Sequence, residues 1–190
     1  MTLSENDYHT IFLFKRKKDN PELHKSTVCL FQDCTQLRHI RQRIPVYQLL
    51  ARELDARVYI SASPRDLRKT RKNLIIKLVS TEDSEQEQTD LLRQLMGSLM
   101  QCPITSKKKW VVDIDTRDVN VLLLVQRRVE AWIKQQDIGQ WVDTEVKSLE
   151  TPHGYHLITP PFDPRIIVGI PDVEIKKDGM TMLSYIGEPE

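Results

Sequence analysis

The chain has 190 residues, 28 of them basic and 27 acidic, for a net charge of +1. That length suits one compact domain. A hydrophobic share of 39% and a charged share of 29% exclude a chain disordered throughout. No run approaches the roughly 18 apolar residues of a membrane span, and Met1–Tyr8 lacks the apolar core of a signal peptide, so a cytoplasmic protein away from membranes is expected. Three cysteines fit a reducing compartment better than a disulfide framework. The near-neutral total excludes a global basic field but leaves room for a local patch that binds nucleic acid.

In chain order, Thr10–Phe14 and Ser26–Phe31 are short apolar strands. Arg38–Leu54 carries apolar residues at mostly i, i+3 and i+4 spacing, which predicts an amphipathic helix with Pro45 in its first turn or at a kink. Arg57–Ser61 is β-branched and aromatic, hence a strand. Ser63-Pro64 has the form of an N-cap followed by proline, predicting a helix over Pro64–Leu78. Thr81–Asp90 is an acidic loop or helix start, and Leu91–Met100 a helix ended by Cys102-Pro103. Trp110–Ile114 is a strand and Val119–Gln136 a strongly apolar helix. Trp141–Glu145, Tyr155–Thr159, Ile166–Ile170, Asp172–Lys176 and Met180–Ile186 are strand candidates, the last two joined by a Lys177-Asp178-Gly179 turn. The fold class is α+β, as a mixed α/β chain without internal repeats.

Asp113 and Asp115 are two apart on an otherwise apolar strand, so both carboxylates project to one side. Close carboxylates repel unless a cation lies between them, and a hard divalent ion suits them. The same pair also fits a solvated strand end. In Thr151-Pro-His-Gly-Tyr-His156 the glycine permits a tight turn and His156 then stands on the next strand, able to donate to a phosphate. Asp172, Glu174 and Lys176 share one strand face: an acid there can complete a metal site and Lys176 can meet a phosphate, although an exposed charged edge reads the same way. Arg65, Arg68, Lys69 and Lys72 fall on one side of a helix, as a nucleic-acid backbone or a solvated face requires. His24, Cys29, Cys34 and His39 have no standard zinc spacing. Lys176-Lys-Asp-Gly179 is better read as a turn than as a nucleotidyl-accepting lysine.

Together these segments resemble the catalytic core of the archaeo-eukaryotic primase, or primase-polymerase, superfamily. Tyr59-Ile-Ser-Ala-Ser-Pro64-Arg65 is similar to its aromatic-x-x-x-x-Pro-Arg element. Trp110-Val-Val-Asp113-Ile-Asp115 is similar to its metal strand, and Thr151-Pro-His-Gly154-Tyr-His156 to its nucleotide-binding histidine motif. Val173-Glu174 is similar to its last acid, with Asp172 as the alternative. The resemblance spans about Arg57–Ile186.

It implies a two-lobed core within a single domain over 1–190. The lobes would be an N-terminal α/β lobe near 1–105 and an RNA-recognition-motif-like lobe over 106–190. The implied activity is metal-dependent nucleotidyl transfer to a 3′-hydroxyl on a template. Asp113, Asp115 and Glu174 (or Asp172) would hold Mg²⁺ or Mn²⁺. His156, Thr151 and Lys176 would bind a nucleoside triphosphate, and Arg65, Arg68, Lys69 and Lys72 the nucleic acid. Single-stranded or primer-template nucleic acid is the implied partner, with a helicase or other replication protein beside it. Two alternatives remain open on the residues alone: a non-catalytic module that binds nucleic acid or nucleotide, and a metal-dependent phosphoesterase.

Overall fold

The computed structural model describes residues 4–80, 95, 97–136 and 144–183. Among these the chain is α+β, with two four-stranded antiparallel sheets. The first sheet has β1 (Tyr8–Arg16), β2 (Thr27–Gln36), β3 (Arg57–Ser61) and β8 (Met180–Met182) in the order β2-β1-β3-β8. The second has β4 (Trp110–Ile114), β5 (Lys147–Thr151), β6 (Gly154–Thr159) and β7 (Val173–Lys176) in the order β5-β6-β4-β7. Helices α1 (Leu37–Glu53), α2 (Leu67–Ser80) and α3 (Val119–Gln135) follow β2, β3 and β4.

Each sheet buries one face against a helix. Ile11, Leu13, Val58 and Ile60 of the first pack on Leu37, Ile40 and Tyr47 of α1. Val112, Ile114 and Leu157 of the second pack on Leu122, Val125, Val129 and Ile133 of α3, whose apolar residues recur at the helical period. Because side chains alternate along a strand, Val111 and Ile158 face the other way. They meet Ala62, just after β3, and so join the two sheets back to back from their helices. The Ser63 hydroxyl reinforces that joint: it accepts from the Lys109 N–H at 2.9 Å and donates to the Lys109 carbonyl at 3.0 Å. β8, from the C-terminal end of the chain, crosses back to pair with β3 of the first sheet.

Several expectations shift. Pro45 lies in the interior of α1, where its missing N–H removes one bond to an exposed part of the helix. α2 starts at Leu67, not at Pro64. Ser63 is committed to Lys109, the Arg65 N–H bonds to the Tyr8 carbonyl at 2.7 Å, and the Asp66 side chain instead caps the Lys69 N–H at 2.9 Å. Ile166–Ile170 is not a strand. Pro164–Ile167 forms a 3₁₀ turn with Asp163 accepting from the Arg165 N–H, and Ile167 is buried against the α3 core. Thr144 and Glu145 lie before the strand, which begins at Lys147. Thr81–Asp90, residues 91–94, residues 141–143 and the end of the last predicted strand lie outside the described residues; residues 97–100 are helical, as expected. Among the described residues no helix is long and apolar enough to cross a membrane.

Candidate functional site

The register of the second sheet sets the site. Asp113 on β4 lies directly opposite His156 on β6 and opposite Glu174 on β7. The three side chains therefore form one rung across three neighbouring strands and project from the same face, away from the α3 core. Asp115 follows two residues later on that face. It lies just past the end of β4, where its N–H donates to the Asp172 carbonyl at 2.8 Å. Asp172 has φ of 60°, a turn conformation that asparagine and aspartate tolerate better than most residues.

A cleft of about 520 Å³ opens between this face and the first sheet. Asp113, Asp115, Glu174, Lys176, Thr151 and His156 all line it. Asp172 does not, so of the two alternatives for the last acid only Glu174 reaches the cleft. His153, which no sequence pattern singles out, also lines it from the β5–β6 turn. That turn needs its glycine: a Cβ on Gly154 would lie 2.0 Å from the Ile114 carbonyl oxygen and 2.8 Å from the Thr116 backbone. Gly154 thus lets the Thr151–His156 hairpin press against the end of the strand bearing Asp113.

Asp113 is the best-connected group in the cleft. His156 Nε2 lies 3.3 Å from Oδ1, and the Lys176 ammonium bonds Oδ2. Partial burial disfavours the Asp113 charge, but hydrogen bonds and positive charge from His156 and Lys176 outweigh it and hold the carboxyl well below the usual range. Lys176 shows the reciprocal effect. Burial alone would lower its pKa, but the bond to Asp113 and the charges of Asp113, Glu174 and Asp115 raise it. His156 Nδ1 is 3.0 Å from Thr181 Oγ1, a contact from β8 that fixes the ring in the cleft.

Lys176 Nζ also lies 3.7 Å from Glu174 Oε2. An ammonium group thus sits among the carboxylates expected to hold a divalent ion. Among the described residues no three His, Cys, Asp or Glu groups gather closely enough to hold an ion, which includes His24, Cys29, Cys34 and His39. The acid set nonetheless fits a hard cation in kind: three carboxylates on one cleft wall, already attracting a positive group.

The predicted basic stripe divides. Arg68, Lys69 and Lys72 are exposed on α2 and line a shallow groove of about 570 Å³ with Arg71, Ile75 and Ile76. Arg65 is not part of it. It precedes the helix, is 2% exposed, and donates from Nη1 to the Met100 carbonyl at 2.9 Å. Burial lowers its pKa to about 10, with Asp178 the main opposing charge, so it stays cationic at neutral pH without reaching solvent.

No family model, curated protein or solved structure matches this chain.

Proposed function

We propose that the protein is a metal-dependent nucleotidyltransferase of the primase-polymerase type, adding nucleotides to a 3′-hydroxyl on a nucleic-acid template. One observation carries this reading: Asp113, His156 and Glu174 occupy a single rung of the second sheet and share one cleft with Asp115. The strand order β5-β6-β4-β7, with α3 following its first strand, supports the RNA-recognition-motif-like lobe that the resemblance implies.

Asp113, Asp115 and Glu174 would hold Mg²⁺ or Mn²⁺, after Lys176 yields its place on Asp113. Such ions, when bound, lower the pKa of an attacking hydroxyl and stabilise a pyrophosphate leaving group. The chain's own groups supply the rest. Lys176, once displaced, remains in the cleft to meet a phosphate oxygen. His156, oriented by Thr181, donates to the triphosphate, and Thr151 lies beside it in the same cleft. Arg68, Lys69 and Lys72 offer phosphate contacts to nucleic acid on the outer surface.

The test is extension of a labelled primer on a template with Mg²⁺ or Mn²⁺, beside the double variant Asp113→Asn/Asp115→Asn. Wild type is expected to extend the primer. The variant is expected to keep its circular dichroism spectrum and to lose incorporation. Normal incorporation by the variant removes the metal assignment. The Lys176–Asp113 ion pair is the observation that favours a second reading, a binding module in which lysine permanently fills the cation position. That reading predicts no extension by folded wild-type protein with either metal.

A further inference from the structure

The cleft face of the first sheet takes no part in the chemistry just described. Phe12, Phe14 and Arg16 alternate onto one face of β1, and the register sets Tyr59 opposite Phe12 and Arg57 opposite Phe14. The other face of this sheet is the one buried on α1. Phe12 and Phe14 stack with ring centroids 5.2 Å apart, and Tyr59 tilts against Phe14 at 5.7 Å. Phe14, Tyr59, Arg16 and Arg57 all line the cleft, opposite the acids.

Positive charge continues outward from this aromatic floor. Arg16 Nη1 donates to the Tyr59 hydroxyl at 3.2 Å, and Arg57 is held by Asp19 at 2.5 Å. Lys17 and Lys18 follow on the exposed turn after β1, and Lys18 still lines the cleft. Among the described residues none of Arg16, Lys17 and Lys18 forms an ion pair with a carboxylate. A single nucleotide gathers its charge at one point. A row of cations that begins inside a cleft and runs past its rim suits a polymer of phosphates, and an aromatic surface between the cations suits its bases.

We propose that this face binds single-stranded nucleic acid, with a base stacked on Phe14 and successive phosphates following Arg16 and Lys18 out of the cleft. The inference rests on the nucleotidyl-transfer reading only in treating that strand as substrate. Binding itself needs neither metal nor catalysis.

The experiment is fluorescence anisotropy of a labelled deoxythymidine oligonucleotide with wild-type protein in chelator, over a salt series. Single-strand binding weakens with salt in proportion to the phosphates neutralised, with a slope of about −0.7 per contact. The double variant Arg16→Gln/Lys18→Gln is expected to bind more weakly and to flatten that slope by about 1.4. Phe14→Leu, which keeps an apolar side chain, is expected to lose roughly 5- to 150-fold in affinity, the range for one lost base stack. If Arg16→Gln/Lys18→Gln keeps both affinity and slope while Arg68→Gln/Lys69→Gln/Lys72→Gln loses binding, the strand lies on α2 and the proposal is overturned. No binding by folded wild-type protein at low salt overturns it as well. Binding that depends on Arg16 and Lys18, in a protein that extends no primer, supports the face and removes only the polymerase reading.

Discussion

Lowering the pH from 7 to 5 is expected to destabilise the protein through one residue, His9. Its ring is fully buried on β1, and Nδ1 donates to the Ser61 carbonyl at 2.9 Å. That bond leaves Nε2 to take any second proton, and Nε2 is buried with no partner. Burial is the main cause that lowers the pKa from 6.5 to about 4; Arg65 and Lys107 add to the lowering, while the bond to Ser61 and the charge of Asp7 oppose it. Between those two values the unfolded chain binds a proton that the folded chain refuses, so stability rises with pH across that window and falls as pH drops through it. The gap from 6.5 to about 4 corresponds to about 3 kcal/mol in full, of which about 2 kcal/mol is lost between pH 7 and pH 5. Asp113 does not confound this window. Its folded pKa is depressed, so its contribution is present above the unfolded carboxylate value of about 3.9 and is lost only at lower pH. Urea unfolding followed by tryptophan fluorescence at several pH values, for wild type and His9→Asn, isolates the effect. The wild-type curve is expected to fall more steeply than that of the variant below pH 6.5. Parallel curves would refute the reasoning, whatever the absolute stability of the variant.

Three further perturbations test the site and its support. Gly154→Ala forces a Cβ against the Ile114 carbonyl and should cost more than about 2 kcal/mol; a melting temperature unchanged from wild type would contradict the close approach. Lys176→Gln removes the ammonium that competes for Asp113 and Glu174, and isothermal titration should find Mn²⁺ binding tighter by up to about 5-fold, in keeping with an ion pair whose lysine is still partly exposed to solvent. Weaker Mn²⁺ binding would count against a cation site there. Ser63→Ala removes the hydroxyl that both accepts from and donates to the Lys109 backbone at the joint between the sheets and should cost about 1–3 kcal/mol in chemical denaturation; a loss within error of zero would show that the joint does not depend on that hydroxyl.

Local pattern was enough for much of the fold. Arg57–Ser61 and Trp110–Ile114 are strands with the expected ends, because short β-branched and aromatic runs have few other stable states. Val119–Gln135 is a helix for the complementary reason, a continuous apolar stripe at the helical period. The readings that failed did so where a side chain had two uses. Ser63 could cap a helix or bridge to Lys109, and the backbone of the other sheet claimed it. Ile166–Ile170 is apolar enough for a strand, but Asp163-Pro164 starts a 3₁₀ turn first.

The sequence by itself placed Asp113 and Asp115 on one side of a strand and His156 after a glycine turn, since a period of two and a steric requirement for glycine act within a few residues. It could not say that Asp113 faces both His156 and Glu174. That depends on strand order and register, which long-range pairing decides. Nor could it separate Glu174 from Asp172, turn Arg65 inward, or bring Phe14 and Arg16 opposite the acids. Each of these is a contact between segments far apart in the chain, where the competing local states are nearly equal and only packing of the two sheets chooses between them.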